Sequence, residues 1–340
     1  MSWEDMPTTG DWDRLVARLQ AAESVLLVAH VNPDADALGS ALAAGLAMRQ
    51  VGIPAFVSFD ESPFRVPQSL AWMPGAEILV PVELTPTRLD VAVSFDASAI
   101  ERLGRLGAIC RGAQLFAAID HHRSYTGFAQ LSLVDVTAPA AAVLALDLVD
   151  RLGAELTKDI ATCIYAGVTT DTGSFQFAGT TADTHRLAAR LHAAGIDHDL
   201  IARAVFADRP FASLQLLGRA LDHAQLDVDA LGGLGLVTTW VSLADRQELG
   251  LYLDAAESII DTLRETSQAH VAVVLKEGDD HVWRVSTRSK GVIDVSAVCG
   301  TLGGGGHRVA AGYSDAGPRE EVLARLVGEL EAQAMTTSSP

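Results

Sequence analysis

Carboxylates and imidazoles recur in this sequence where they could hold divalent cations. The segment His30-Val31-Asn32-Pro33-Asp34-Ala35-Asp36-Ala37-Leu38-Gly39-Ser40 brings one histidine and two aspartates close together. Asp96 and Asp120-His121-His122 each follow an apolar run, and Gly167-Val168-Thr169-Thr170-Asp171-Thr172-Gly173 leaves an apolar helical pattern for a turn. Taken singly, each has an ordinary structural role. Asp34 and Asp36 suit the cap of a following helix. Asp96 suits a turn, His121 and His122 a surface loop, and Asp171 an Asx-turn with Thr172 and Gly173. Coincident caps and turns explain poorly why five aspartates and three histidines gather at four such ends, so the set reads as a metal site.

Oxygen and nitrogen donors without thiolate suit a fairly hard divalent ion, with Mn²⁺ favoured and Mg²⁺, Co²⁺ or Fe²⁺ as alternatives. The donors outnumber what one ion needs. Two ions about 3.5–4 Å apart, sharing a carboxylate and a hydroxide, would use them all. Such a pair lowers the pKa of a water and offsets charge on a phosphoryl oxygen, which suits phosphoester hydrolysis.

Positioning these groups requires strand ends gathered on one edge. Short apolar runs at Ser24–Ala29, Ala55–Phe59, Asp90–Phe95 and Gln114–Ile119 alternate with helical patterns at Ala35–Gln50, Ala138–Leu152, Thr157–Val168 and about 181–194. Strands alternating with helices predict an α/β fold with a mainly parallel sheet, whose ligands lie at the carboxyl ends of the strands. Residues 197–224 read as helical. Strands at Gly235–Val241, His270–Lys276 and His281–Ser286 then mix with helices near 254–265, 294–301 and 318–333. This is the pattern of a smaller C-terminal α/β domain with a mixed sheet. The expected division is a catalytic, metal-binding domain over 1–200, a helical linker over 201–215 and a second domain over 216–335.

Composition narrows the partners. The chain has 340 residues, 49% of them hydrophobic, enough for two packed cores. Its formal net charge is -18, from 25 basic and 43 acidic residues, with no basic cluster. Grip on a long nucleic acid requires many phosphates to be neutralised, so a long polynucleotide is not the expected ligand. A mononucleotide or short oligonucleotide needs only a few arginines and a metal site. No apolar stretch is long enough to cross a bilayer, and the acidic start, Met1 to Asp13, lacks a secretory pattern. Cys110, Cys163 and Cys299 have neither metal-finger nor CxxC spacing, which predicts reduced and mostly buried thiols. A soluble cytoplasmic protein without membrane contact is expected. A dinucleotide-dependent dehydrogenase is disfavoured, because aspartates rather than a GxGxxG turn follow the first strand.

HVNPDADALGS, the Asp96 segment VSFDAS, the DHH triplet at 120–122 and GVTTDTGSFQF resemble the four successive motifs of the DHH phosphoesterases. Arg288-Ser289-Lys290, Asp294 and Gly303-Gly304-Gly305-Gly306-His307, followed by AAG at 310–312, resemble the DHH-associated substrate-binding domain. The resemblance covers nearly the whole chain. It implies a first ion on His30, Asp34 and Asp96, and a second on Asp36, Asp96, His121 and Asp171, with Asp96 bridging. His122 would face the scissile phosphate and Asp120 would orient the histidines. Arg288, Ser289 and His307, with the backbone of Gly305 and Gly306, would hold the far end of the nucleotide. Arginine offers phosphate a bidentate fork, and glycine lets backbone N–H groups approach it closely. Ala35 stands where the family often has glycine, and it keeps a small residue there.

Within that family, the compact two-domain layout is similar to the bacterial nanoRNase and pAp-phosphatase enzymes. The implied reactions are release of 5′-mononucleotides from very short RNAs, including pApA, and conversion of 3′-phosphoadenosine 5′-phosphate (pAp) to AMP. Cyclic di-AMP cleavage is the alternative. A cyclic-dinucleotide receptor without turnover is disfavoured, because it would have no use for two activating ions. A homodimer is the expected assembly.

Overall fold

A computed structural model describes residues 8–337; the first residues of the acidic start and the end of the polar tail at 336–340 lie outside the described residues. The chain forms two compact units, Met1–Asp208 and Arg209–Pro340.

The first unit contains strands β1 (Val25–Val28), β2 (Ala55–Ser58), β3 (Val91–Phe95), β4 (Leu115–Asp120) and β5 (Leu131–Val134). They form one sheet in the order β2-β1-β3-β4-β5, and every pairing is parallel. Every residue of β1, β3 and β4 is buried. Helices cover both faces of such a sheet, which is why these strands read as unbroken apolar runs.

Helices α1 (Thr9–Gln20), α2 (Ala35–Gln50), α3 (Leu106–Arg111), α4 (Ala141–Arg151), α5 (Lys158–Asp171), α6 (Ala182–Ala193) and α7 (His198–Ala202) complete the unit. α2 has the bounds expected from its sequence. Alanine and glycine let it sink between the sheet, α4 and α5, so that nearly all of its residues are buried. Three elements were not expected: the six-residue helix α3, β5 and α1. β5 is a four-residue edge strand, and α1 buries only Trp12, Leu15 and Leu19 as its main apolar contacts.

Two further differences from expectation are local. α5 continues past Val168 to Asp171, and within that last turn the Thr170 hydroxyl donates to the Ala166 carbonyl at 3.0 Å. Asp171 is therefore the final helical residue and not part of a turn. The helical pattern over 197–224 is interrupted: α7 passes into a π turn at Arg203–Ala207, then breaks before α8 (Phe211–Asp222). Pro210 disfavours helical backbone at Arg209.

In the second unit, β6 (Gln225–Asp227), β7 (Leu236–Val241), β8 (Val271–Glu277), β9 (Val282–Ser289), β10 (Gly305–His307) and β11 (Ala310–Ala316) form a mixed sheet. Their order is β10-β11-β9-β8-β7-β6, and only β7 and β8 run parallel. A short turn, α9 (Ala230–Gly233), and helices α10 (Leu243–Glu248), α11 (Ile259–Leu263), α12 (Val295–Thr301) and α13 (Arg319–Thr337) complete it. Val271, Val273, Leu275, Val285 and Tyr313 share one core with residues of α12 and α13. Ala272 and Val274 share the other with residues of α8 and α11. The alternating sides of β8 explain both clusters.

All three cysteines are free and buried. Burial pushes the Cys110 thiol up to about 12, so it stays protonated at neutral pH. Among the described residues, no helix is long and apolar enough to cross a membrane.

Candidate active site

Because β1, β3 and β4 are parallel neighbours, their carboxyl ends lie side by side. His30 follows β1, Asp96 follows β3, and Asp120-His121-His122 close β4. Asp36 in the first turn of α2 and Asp171 at the end of α5 join them through helix packing. Three donor sets result among these residues, His30–Asp34–Asp96, Asp36–His121–Asp171 and Asp96–Asp120–His122. Within each set, one ligand atom per residue lies within 4.8 Å of the others.

Asp96 faces both His30 and His121. Its Oδ2 is 3.7 Å from His30 Nε2, and its Oδ1 is 3.3 Å from His121 Nε2. Its backbone is left-handed, at φ 57°, an unfavourable conformation for a non-glycine residue and common where a site dictates the geometry. The buried Oδ1 has only loose polar neighbours, His121 Nε2 at 3.3 Å and His122 Nδ1 at 3.4 Å. An oxygen buried in that state is costly without a cation.

Both histidines aim their Nε2 atoms inward. His30 Nδ1 lies 2.8 Å from the Val31 carbonyl, and His121 Nδ1 lies 3.0 Å from the Ala138 carbonyl. A carbonyl can only accept, so the Ala138 contact puts the His121 proton on Nδ1 and leaves Nε2 open to a cation, and His30 takes the same tautomer when it donates to Val31. His30 Nε2 faces Asp34 Oδ2 at 3.6 Å, while His121 Nε2 faces Asp171 Oδ2 at 3.2 Å and Asp36 Oδ2 at 3.7 Å.

The structural roles weighed for these aspartates are also real. Asp34 caps α2, accepting from the backbone N–H of Asp36 and Ala37 at 3.1 and 2.9 Å. Asp36 caps a different helix: its two oxygens accept from Ala141 N at 2.7 Å and Ala142 N at 2.8 Å, at the start of α4. Capping fixes the carboxylate plane and leaves lone pairs for a cation. Asp171 sits at a helix C-terminus, where the dipole disfavours negative charge and a cation would offset it.

The electrostatics reflect this crowding. Burial, then the charge of Asp171, raises Asp36 to about 8. Burial, then the charge of Asp36, raises Asp96 well above the usual carboxylate range. Burial opposes charge on His121, yet Asp171 and Asp96 outweigh it and raise its pKa well above the histidine range. Protons thus take up in the metal-free protein the charge compensation that divalent ions would supply. Asp120 behaves differently. Burial, the largest single influence, opposes its charge, but the hydrogen bond from His122, the charges of His122 and His121 and the His121 N–H together outweigh it and lower its pKa. Its Oδ1 accepts from His122 Nδ1 at 2.7 Å and from the backbone N–H of His121 at 2.8 Å. It therefore orients both histidines from beneath.

In the second unit the structure brings the expected residues to one sheet edge. Arg288 pairs in register with Ala310, which pairs with His307. Directly opposed residues share a face, so Arg288 and His307 flank Ala310 on one side. Ser289 is engaged locally, giving its hydroxyl proton to Ile293 O at 2.6 Å and accepting from Gly291 N at 2.9 Å. Asp294 caps α12. The glycine run is ordered. Gly303, at φ 81°, ends α12, with N–H bonds from Gly303 to Gly300 O and from Gly304 to Cys299 O. Gly305 and Gly306 enter β10, where a Cβ at Gly306 would meet Ala310 O at 2.5 Å.

Sequence reasoning missed the backbone groups that orient the site: the Val31 and Ala138 carbonyls and the Ala141 and Ala142 N–H groups. Every residue has such groups, so no residue type marks them. It also missed Arg102, whose Nη2 lies 3.2 Å from His30 Nδ1.

An acidic and imidazole cluster at the carboxyl edge of a parallel sheet is the layout of a metal-dependent hydrolase. Residues 24–168 match the DHH family, N-terminal domain, and residues 238–335 match the DHHA1 domain. The chain is 34% identical, over 91% of its length and 88% of the relative's, to the "Bifunctional oligoribonuclease and PAP phosphatase NrnA" of Thermus thermophilus. It is 27% identical to the "Uncharacterized protein MG371 homolog" of Mycoplasma pneumoniae, over 88% of each chain. Its fold is similar to an exopolyphosphatase-related protein from Bacteroides fragilis, with a TM-score of 0.83, 22% identity and 98% of each chain covered. The chain belongs to the DHH phosphoesterase family and carries its DHHA1 domain. It is a phosphoester hydrolase of a metal-dependent family.

Proposed function

We propose that this enzyme uses two divalent ions, Mn²⁺ by the chemistry of its donors, to release 5′-mononucleotides from very short RNAs and to convert pAp to AMP. The observation that carries the reading is Asp96, whose two oxygens face the Nε2 atoms of different histidines, each with a backbone carbonyl beside its Nδ1. His30, Asp34 and Asp96 would hold one ion, and Asp36, Asp96, His121 and Asp171 the other. Such ions lower the pKa of a water and offset phosphoryl charge. The chain's own residues fix the rest. Asp120 orients His122, whose Nδ1 is engaged, so proton exchange with a substrate oxygen would pass through Nε2. Arg288 and His307, with the backbone at Gly305 and Gly306 and the Ser289 segment, would hold the nucleotide's non-reacting end. The short substrate agrees with the net charge of -18, which opposes long polyanions. The Thermus relative is named for both activities.

The test is product formation with Mn²⁺ from pAp, pApA, cyclic di-AMP and a long single-stranded RNA, beside Asp96→Ala. Rapid AMP from pAp and pApA, slow attack on the long RNA and an inert variant are expected. Preferential degradation of the long RNA would overturn the short-substrate reading. Preferential cleavage of cyclic di-AMP would replace it with the cyclic-dinucleotide reading.

A further inference from the structure

Arg102 lies in the 3-10 turn Ile100–Leu103, shortly after Asp96. Its backbone is anchored: its carbonyl accepts from Val31 N at 2.7 Å, and the neighbouring Leu103 is fully buried. The turn ends at Gly104, φ 54°, where a Cβ would come within 2.3 Å of Asp60 Oδ2. The guanidinium of a mostly exposed side chain is thereby held beside His30, with Nη2 3.2 Å from Nδ1.

His30 Nδ1 cannot serve both of its neighbours. It can donate to the Val31 carbonyl or accept from Arg102, and the two require opposite tautomers. Nε2 faces Asp34 and Asp96, so coordination through it places the proton on Nδ1, towards Val31. In that state Arg102 has no acceptor on His30, and its N–H groups remain beside the site. Charge gives them a use. Asp34, Asp36, Asp96 and Asp171 would balance two divalent ions, which leaves the negative charge of Asp120 over before an anionic phosphoester arrives.

We infer that Arg102 is a substrate-binding residue, contacting the phosphoryl group on the His30 side of the centre. This inference rests on the phosphoesterase site proposed above. A guanidinium suits the role because it stays charged and offers several donors to phosphate oxygens.

The experiment compares wild type with Arg102→Gln, Arg102→Lys and Arg123→Gln, the last an exposed arginine next in sequence to His122. Titration calorimetry measures Mn²⁺ binding to metal-free protein and AMP binding to Mn²⁺-loaded protein, and steady-state rates give KM and kcat for pAp. Arg102→Gln should weaken AMP binding and raise KM by about tenfold to a hundredfold, with Mn²⁺ affinity unchanged. Arg102→Lys should recover part of that loss, and Arg123→Gln should lose less than Arg102→Gln. A fall in Mn²⁺ affinity without a change in AMP affinity would overturn the inference, making Arg102 a support for His30. Equal AMP affinity in Arg102→Gln and wild type would overturn it too. If wild type itself neither bound AMP nor turned over pAp, the proposed function would be what failed.

Discussion

Gly167 tests whether the helix packing sets the site. It lies in α5 against α2 and α4, and an added Cβ would come within 2.7 Å of Asp36 Oδ1, 2.9 Å of Ala142 Cβ and 3.0 Å of Asp36 Cα. Carbon atoms pack at about 3.5–4.0 Å, so Gly167→Ala must displace these neighbours by roughly 0.5–1 Å. Overpacking of this kind costs about 1–3 kcal/mol. Alanine returns about 1 kcal/mol over glycine in a helix interior. The net destabilisation is therefore about 0–2 kcal/mol, a fall in Tm of roughly 0–8 °C for a unit of this size. Catalysis should suffer more, because a 1 Å misplacement of reacting groups costs on the order of 10²-fold. Differential scanning calorimetry and the rate with pAp measure the two effects. Gly218→Ala is the control: Gly218 lies in α8 with open space around its Cβ position, and the substitution should stabilise by about 0.5–1 kcal/mol. A Gly167→Ala enzyme that kept its rate to within about threefold would refute the claim that this contact positions Asp36.

Asp120→Asn preserves shape but removes the charge that His122 Nδ1 and the His121 N–H address. Activity should fall about 10–100-fold with the fold intact by circular dichroism, and full activity would refute the orienting role. Mn²⁺ binding should release protons at pH 7, because Asp36 is raised to about 8 and Asp96 is raised as well in the metal-free protein. The sign follows from linkage. A carboxyl whose folded pKa is raised adds stability fully present below its unfolded value near 4, lost as pH rises through about 8. A cation must displace that proton, so Mn²⁺ affinity should rise with pH up to about 8. Calorimetry in two buffers of different ionisation enthalpy counts the protons, and a count of zero would refute the reasoning.

Much of the site was legible because its ligands follow strands that are apolar on both faces. Runs such as SVLLVA and DVAVSF are conspicuous in the sequence, and so are the residues after them. α2 was legible to the residue because Asp34 starts it. β5 and α1 were less so: one is a four-residue edge strand, and the other buries few apolar residues. The end of α5 differs from expectation because Asp171, followed by Thr172 and Gly173, suits an Asx-turn, whereas in the structure it is the last helical residue and Thr172 the cap. The glycine run was legible as composition alone. That Gly303 stops a helix while Gly305 and Gly306 enter a strand depends on where β11 lies.

Sequence by itself determined which groups are present: acidic and imidazole donors in order along the chain, no thiolate among them, and a charge unsuited to long nucleic acid. Tertiary structure decided what those groups do. Parallel pairing set β1, β3 and β4 side by side, so that Asp96 lies between His30 and His121. The packing of α2 on α4 and α5 turned Asp36 into a cap for a helix 105 residues away in sequence and brought Asp171 to His121. The reason is physical: residue types carry chemistry locally, whereas tautomers, shared carboxylates and raised pKa values arise only between groups that folding brings together.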